Sequence, residues 1–166
     1  NLCDTRGRGL KLSLLLDQGG SSPTRSVIIS TLQNYLQMLN DRTIESFIFY
    51  FAGHGLQVND KNGDERDQKD ETILCSDLQL LEDDTLHNLL SYLKPYTNAT
   101  FIFDCCHSGT MLDLPRNILG GDAPSKQLEK IAASVICISA CADQQKATER
   151  NGRGLFTSSF CTLLRK

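Results

Sequence analysis

Short apolar runs alternate along this chain with segments whose apolar residues recur every three or four positions. A short apolar run that ends at turn-forming residues predicts a β-strand. Such runs lie at 10–16, 47–52, 72–75, 100–103 and 135–138. The second, fourth and fifth of these runs are continuously apolar, so we predict strands that are buried on both faces of a sheet.

Helical periodicity is present in three segments. The first, over 23–39, has Ser22 as its expected N-cap and Pro23 at its first helical position. Asp83 or Asp84 is placed to cap a second helix, which ends before a proline. The apolar positions of the three helices are Ile28, Leu32, Tyr35, Leu36 and Leu39, then Leu86, Leu89, Leu90 and Leu93, then Leu155, Phe156, Phe160, Leu163 and Leu164.

Strands that alternate with helices predict an α/β domain with a mostly parallel central sheet and helices on both of its faces. In such a sheet the chemistry lies at the carboxyl ends of the strands. The second predicted strand runs into Gly53-His54-Gly55, and the fourth runs into Asp104-Cys105-Cys106-His107-Ser108-Gly109. If these strands are neighbours, His54 and Cys106 meet, and a histidine base would help the cysteine to form a nucleophilic thiolate. A turn histidine and a buried thiol are the alternatives that stay open.

The composition is that of one globular domain. The chain has 166 residues, of which 40% are hydrophobic and 22% are charged. No apolar run approaches the length of a membrane span, so we expect no membrane association. The seven cysteines are odd in number and form a poor disulfide framework. Cys105, Cys106 and His107 are consecutive, which does not fit the usual spacing of zinc ligands. We therefore expect a reducing compartment and a cytoplasmic protein.

Charge is unevenly distributed along the chain. The 17 basic and 20 acidic residues give a net charge of −3, which does not indicate a nucleic-acid binder. Residues 60–84 hold ten acids and three bases and so carry a net charge of −7. The polar stretch 55–71 predicts a long loop. A local charge of this kind is typical either of a solvated loop or of a segment that attracts a cation or a basic ligand.

The residues around His54 and Cys106 resemble those of a type I metacaspase, a caspase-fold cysteine peptidase of clan CD. The resemblance rests on the segments 49–55, 70–73, 103–109 and 139–145. It implies a caspase-like fold in a single domain, 1–166, with a p20-like part at 1–113, a linker loop at about 114–131 and a p10-like part at 132–166. Because the chain begins at Asn1 rather than Met, we expect it to belong to a longer protein.

The resemblance also implies roles for individual residues. Cys106, directly before His-Ser-Gly, corresponds to the nucleophile and His54 to the base. The backbone N–H groups of Gly55 and Cys106 would then stabilise the oxyanion. Cys105 would point into the core. Asp104 corresponds to the acidic residue at the floor of the S1 pocket, where a carboxylate favours a substrate Arg or Lys; the alternative for Asp104 is a strand-end cap.

Type I metacaspases are typically activated by calcium, which prefers carboxylate and carbonyl oxygens. By resemblance, Asp83 and Asp84 are the paired aspartates ahead of a helix, and Asp70 and Asp113 are further ligands. The alternative is that Asp83 and Asp84 only cap that helix and favour its dipole. A rival calcium site spans 60–71 with EF-hand-like spacing, but it has glutamate where an EF-hand needs glycine.

The sequence therefore predicts a calcium-dependent cysteine endopeptidase that cleaves peptides or proteins after Arg or Lys and acts as a monomer. The alternative is a catalytically weak or inactive caspase-like scaffold or interaction module. One departure from the family pattern bears on specificity, because Ala52 stands where the family usually has serine. The resemblance thus implies that one hydrogen bond of the S1 pocket is missing.

Overall fold

The computed structural model describes residues 9–17, 21–59, 69–106, 108, 111–112, 114, 130–141, 149–150 and 153–165. Their helices and strands, in chain order, are α1 (Arg25–Asn40), β1 (Phe47–Ala52), β2 (Gly55–Asn59), β3 (Lys69–Leu74), β4 (Leu80–Glu82), α2 (Asp83–Ser91), β5 (Asn98–Asp104), β6 (Ser134–Ser139), β7 (Glu149–Arg150), β8 (Arg153–Gly154) and α3 (Leu155–Leu164). None of the helices in these segments combines the length and the apolar character that crossing a bilayer requires.

A parallel sheet forms the centre of the fold. Its strand order is β1-β5-β6, and both pairings are parallel. Helix α1 packs on one face, where the ring of Tyr35 stacks on Phe47 at 5.5 Å between centroids. Helix α3 lies on the other face, where the hydroxyl groups of Tyr50 and Thr157 are 2.8 Å apart. The predicted α/β architecture, with helices on both faces, is therefore confirmed.

The two faces of this sheet are unequally buried. Phe101 and Phe103 of β5 are almost fully buried and pack with Phe49 of β1 on the α1 side. On the α3 side, Ile48 is 66% exposed and Ile136 is 55% exposed. The prediction that 47–52 and 135–138 are buried on both faces was therefore wrong, because α3 covers only part of the second face.

The predicted amphipathic face of α1 is confirmed. Its five apolar positions are all buried, and they are Ile28, Leu32, Tyr35, Leu36 and Leu39. The N-cap, however, is Thr24 rather than Ser22, since the Thr24 side chain accepts a hydrogen bond from the N–H of Val27 and the helix begins at Arg25. Pro23 thus precedes the helix instead of occupying its first position.

The apolar run 10–16 is not a strand. The segment lies beside α1, where the hydroxyl groups of Ser13 and Tyr35 are 2.9 Å apart. Four alternate leucines are exposed, namely Leu10, Leu12, Leu14 and Leu16. The apolar run therefore does not mark a buried sheet face, and without ladder hydrogen bonds to a neighbour the segment is not a β-strand.

The acidic stretch predicted as a loop contains two strands. β2 pairs with β3 and β3 with β4, both antiparallel, in a second sheet of three strands. The loop prediction was wrong for 55–59 and 69–71. These segments are rich in polar residues, which conceal the pattern of a strand, and two of them, Gln57 and Glu71, are hydrogen-bonded to each other across the sheet. Residues 60–68, and most of the predicted linker at 114–131, lie outside the described residues.

Asp83 ties the second sheet to α2. Its two carboxylate oxygens accept hydrogen bonds of 2.7 Å, one from the N–H of Glu71 in β3 and one from the N–H of Asp84 in the first helical turn. Asp83 is 2% exposed, and burial is the main reason that its pKa rises to about 8. The backbone donors oppose this rise, while the nearby carboxylates of Glu71 and Asp70 add to it.

We expect the stability of the calcium-free protein to fall as pH rises from about 5 to about 8. Between its ordinary pKa near 4 and the folded value of about 8, Asp83 keeps its proton in the folded state but has lost it in the unfolded state. Urea unfolding at successive pH values in a chelator measures this slope. Asp83→Asn should flatten the slope, whereas Asp17→Asn, a change of an exposed acid, should leave it in place. An equal slope in wild type and Asp83→Asn would contradict the prediction.

Candidate active site

The pairing of β1 with β5 places the ends of both strands at one edge of the sheet. Their last paired residues are Ala52 and Asp104. His54 and Cys106 each lie two residues beyond that pair, and the N–H of Gly53 donates to the carbonyl of Asp104 over 3.4 Å. The neighbouring parallel strands that the sequence analysis required are therefore present, and both predicted catalytic residues follow the carboxyl end of their strand at this edge.

Gly55 brings the two chain segments into contact. A Cβ atom added at Gly55 would lie 1.9 Å from the carbonyl oxygen of Cys106 and 3.2 Å from the sulfur of Cys105. The first distance is far inside any permitted contact, and the atom it meets is backbone, which cannot rotate away. Glycine is thus required here for close approach, and the backbone next to His54 packs directly on the backbone of Cys106.

The two adjacent cysteines have different environments. Cys105 is 1% exposed, and burial raises the pKa of its thiol to about 12. Cys106 is only half-buried. A thiol that cannot ionise near neutral pH is a poor nucleophile, so the structure favours Cys106 over Cys105 as the reactive cysteine. The expectation that Cys105 points into the core is confirmed.

Several hydrogen bonds hold the turn after β5 in place. The carbonyl of Cys105 accepts from the hydroxyl of Ser108 over 3.0 Å and from the thiol of Cys141 over 3.2 Å. The carbonyl of Ser108 accepts from the hydroxyl of Ser139, at the end of β6. These bonds join the cysteine turn to the neighbouring strand. His107 and Gly109, which belong to the same motif, lie outside the described residues.

His54 is held by the second sheet. Its backbone carbonyl accepts a hydrogen bond of 2.9 Å from the N–H of Leu74, while its side chain is exposed. β2 begins at the next residue, so the imidazole sits where the chain passes from the parallel to the antiparallel sheet. This position combines a fixed backbone with a ring that is open to a substrate.

Asp104 is buried next to the cysteine turn. It is 8% exposed, and its Oδ2 atom accepts hydrogen bonds from the backbone N–H and the hydroxyl of Thr157. Gly154 packs against the same carboxylate, since a Cβ there would lie 2.1 Å from Oδ2. Thr157 and Gly154 were not predicted from the sequence, because they lie about 50 residues from Asp104 and belong to no motif of their own.

The predicted calcium ligands are only partly assembled. Asp70 and Asp83 are both buried, and they are close enough for Asp70 to raise the pKa of Asp83. Asp84 is partly exposed at the start of α2, and Asp113 lies outside the described residues. Among the residues that the structure describes, no three His, Cys, Asp or Glu side chains form a group able to hold a metal ion.

The last residue of the rival site with EF-hand-like spacing does not have the structural setting of an EF-hand ligand. Glu71 lies inside β3 between two antiparallel partners, and its carboxylate accepts a hydrogen bond of 2.9 Å from the side chain of Gln57. An EF-hand places this residue at the junction of the loop and a helix. The first residues of that site, from 60 to 68, lie outside the described residues.

Cysteine chemistry elsewhere is subdued. Burial also raises the pKa of the Cys75 and Cys137 thiols, in each case to about 11. The cysteines within the described residues form no disulfide, and they are Cys75, Cys105, Cys106, Cys137, Cys141 and Cys161. This agrees with the expectation of free thiols for that part of the chain.

Comparison with known proteins gives one family match and several relatives. The family model described as "Metacaspase, peptidase C14 domain" matches residues 13–115. Metacaspase-1 of Kluyveromyces lactis is 35% identical over 108 residues, which cover 61% of this chain and 25% of that protein. Metacaspase-1 of Yarrowia lipolytica is 38% identical over 120 residues, covering 61% and 26%. The chain thus spans about a quarter of the length of these curated relatives.

A solved structure supports the fold. A protein of Geobacter sulfurreducens with a known crystal structure resembles this chain with a TM-score of 0.63 and 23% sequence identity, over 86% of this chain and 62% of that one. At that identity the likeness concerns the fold alone, and it agrees with the caspase-like α/β arrangement of the sheet. Since the family model covers more than half of the residues, this chain belongs to the metacaspase family of C14 peptidases.

Proposed function

We propose that this chain is the catalytic domain of a cysteine endopeptidase in which Cys106 is the nucleophile and His54 is the base. The observation that carries the proposal is the contact of Gly55 with the carbonyl of Cys106, which brings the backbone beside His54 against the nucleophile. Cys106 is half-buried and His54 is exposed, so both residues are accessible at this edge of the sheet. Family membership supports the same reaction class.

The chemistry follows the usual course of covalent catalysis. His54 takes the thiol proton, and the Cys106 sulfur attacks the scissile carbonyl carbon to form a tetrahedral oxyanion. The N–H groups of Gly55 and Cys106 are the proposed donors to that oxyanion. Collapse of the intermediate breaks the peptide C–N bond, and the histidine returns its proton to the leaving amine. Water, deprotonated by His54, then hydrolyses the thioester and restores the thiol.

The same edge of the sheet suggests the preferred substrate. Asp104 lies two residues before the nucleophile, at the end of β5, and is almost fully buried. A buried carboxylate repels an acidic side chain and pairs with a basic one, so we propose cleavage after Arg or Lys. Peptides or proteins with such a residue at P1 are the proposed substrates.

We expect Cys106→Ala to reduce the cleavage of an Arg-ending fluorogenic peptide by about a thousandfold or more, because the reaction loses its nucleophile. Cys105→Ala is the matched control, since it removes the same atom one residue earlier and should retain most of the activity in a protein that still folds. Rates for both variants, together with their melting curves, decide the assignment. Equal loss in two folded variants would refute it, and no cleavage by the wild type would favour the inactive scaffold.

Specificity gives a second expectation for this site. Asp104→Asn keeps an oxygen acceptor for Thr157 but removes the charge, so kcat/KM for a P1 Arg peptide should fall by about thirtyfold or more. The loss for a P1 peptide without charge should be much smaller. Competition assays with Arg, Lys and Asp at P1 measure the preference, and a wild type that favours Asp would show that the pocket has been misread.

We propose further that calcium activates the enzyme through Asp70, Asp83, Asp84 and Asp113. The donor chemistry fits, because all four are carboxylates. Asp70 and Asp83 are both buried, and Asp70 contributes to the raised pKa of Asp83, an effect that a bound cation would oppose. A bound calcium ion would supply charge neutralisation and order to the segments around it. Ligands beyond the described carboxylates would come from backbone carbonyls, water or Asp113.

The double variant Asp83→Ala with Asp84→Ala should need a higher calcium concentration for half-maximal activity, because it removes two carboxylate ligands. It should also show a smaller rise in melting temperature on addition of calcium, a readout that does not depend on catalysis. If these residues only cap α2, the free energy of unfolding of the variant would fall by about 0.5–2 kcal/mol per cap, and its response to calcium would be unchanged. Full wild-type activity in chelator would end the calcium proposal.

A further inference from the structure

The N-terminus of α3 is capped by a residue from another element. Its N-cap is Gly154, which has no side chain to accept the first backbone N–H groups of the helix. Asp104 takes that role, because its Oδ2 accepts from the N–H of Thr157, the third helical residue, over 3.3 Å. This is the same N–H that an ordinary N-cap side chain would accept. The carboxylate proposed for the S1 pocket is thus built into the start of α3.

A chain of hydroxyl groups ends on this carboxylate. The Thr157 hydroxyl contacts Asp104 Oδ2, and the Tyr50 hydroxyl lies 2.8 Å from Thr157 Oγ1. An ionised carboxylate has no proton to give, so the single hydroxyl proton of Thr157 must point to Asp104. Thr157 then accepts from Tyr50. The two hydrogen bonds therefore run in one direction, because each hydroxyl group has one proton: Tyr50 donates to Thr157, and Thr157 donates to Asp104.

Sheet register explains why Tyr50 is within reach. Tyr50 and Ala52 point to the same face of β1, and Asp104 is the register partner of Ala52. This is the sheet face that α3 partly covers. Tyr50 is 48% exposed, so its ring is not part of the core, and its hydroxyl contact adds a second polar link between the sheet and α3 to the one that Asp104 makes.

Both donors use one oxygen of the carboxylate. Among the described residues, the hydrogen bonds to Asp104 side-chain atoms all end on Oδ2, which leaves Oδ1 for another donor. A carboxylate on a lone side chain rotates broadly about its last bond. With Oδ2 held by two donors, that rotation is already restricted before a substrate arrives, and binding loses less entropy.

We infer that Thr157 is a specificity-determining positioning residue, whose hydroxyl orients the Asp104 carboxylate so that Oδ1 receives a cationic P1 side chain. The inference rests on the proposed peptidase function and deepens it. Thr157 acts through Asp104 and does not itself touch the reacting atoms. Tyr50 supports Thr157, because its hydroxyl group donates a hydrogen bond to Thr157 Oγ1.

The test compares Thr157→Val, which keeps the shape and the backbone N–H but loses the hydroxyl, with Thr157→Ser, which keeps the hydroxyl. Steady-state kinetics are measured with matched peptides carrying P1 Arg or P1 citrulline, an uncharged isostere. For Thr157→Val, we expect kcat/KM for the Arg peptide to fall about tenfold, through KM, and the Arg-to-citrulline ratio to fall with it. Thr157→Ser should stay near wild type.

A purely structural anchor for α3 predicts a different pattern. Thr157→Val would then melt lower and lose activity on both peptides alike, with the ratio unchanged, and this result would overturn the inference. A raised preference for Arg would overturn it too, because it would mean that the hydroxyl competes with the substrate. If Thr157→Val does not fold, Tyr50→Phe tests the same series of hydroxyl groups. A fall in the Arg-to-citrulline ratio that is smaller than the one expected for Thr157→Val supports the inference, and an unchanged ratio overturns it.

The proposed peptidase function and the proposed role of Thr157 are refuted by different results. A wild type that cleaves neither peptide removes the peptidase function, and the inference falls with it. A wild type that cleaves after Arg, together with a Thr157→Val variant whose ratio is unchanged, removes only the role of Thr157.

Discussion

The contact between Gly55 and the carbonyl of Cys106 is the constraint on which the site depends. A Cβ at Gly55 would lie 1.9 Å from that oxygen, so no other residue permits the two chain segments to pass so closely. Gly55 is also the first residue of β2 and follows His54 directly. One glycine thus joins the parallel sheet, the antiparallel sheet and the cysteine turn, and the proposed base and nucleophile lie on the two segments that meet there.

Two buried carboxylates show how the same group serves different purposes. Asp83 uses both oxygens to hold backbone N–H groups of β3 and α2, and burial raises its pKa to about 8. Asp104 uses one oxygen, Oδ2, to hold the start of α3 through the N–H and the hydroxyl of Thr157. Both accept a hydrogen bond from a backbone N–H group in the first turn of a helix. The difference is that Asp83 is enclosed among other acids, whereas Asp104 lies at the open edge of the sheet.

The unequal burial of the central sheet follows from what covers it. On one face, the phenylalanines of β1 and β5 pack against α1 and account for much of the core. On the other face, α3 has no buried residue of its own, and Ile48 and Ile136 remain exposed. The polar contacts of Thr157 with Asp104 and Tyr50 therefore contribute to the docking of α3 on this face.

The sequence by itself determined the core face of α1, the strands that become β5 and β6, and the pair of motifs around His54 and Cys106. Those features are local: the period of apolar residues and the residues that end a run are both written along the chain. The family resemblance also selected Cys106 over Cys105 as the proposed nucleophile, because Cys106 directly precedes His-Ser-Gly, and the burial of Cys105 agrees with that choice.

Only the tertiary structure decided whether the N-terminal apolar run and the polar segments became strands, where the sheet is open, and which distant residues meet. The run 10–16 has the apolar alternation of a strand but forms no ladder, while the polar segments of β2 and β3 are strands because each pairs with the other. Likewise, Asp104 meets Thr157 because a helix about 50 residues later begins against its carboxylate. Pairing and capping are completed by partners far away in sequence, and no local pattern records where those partners will be.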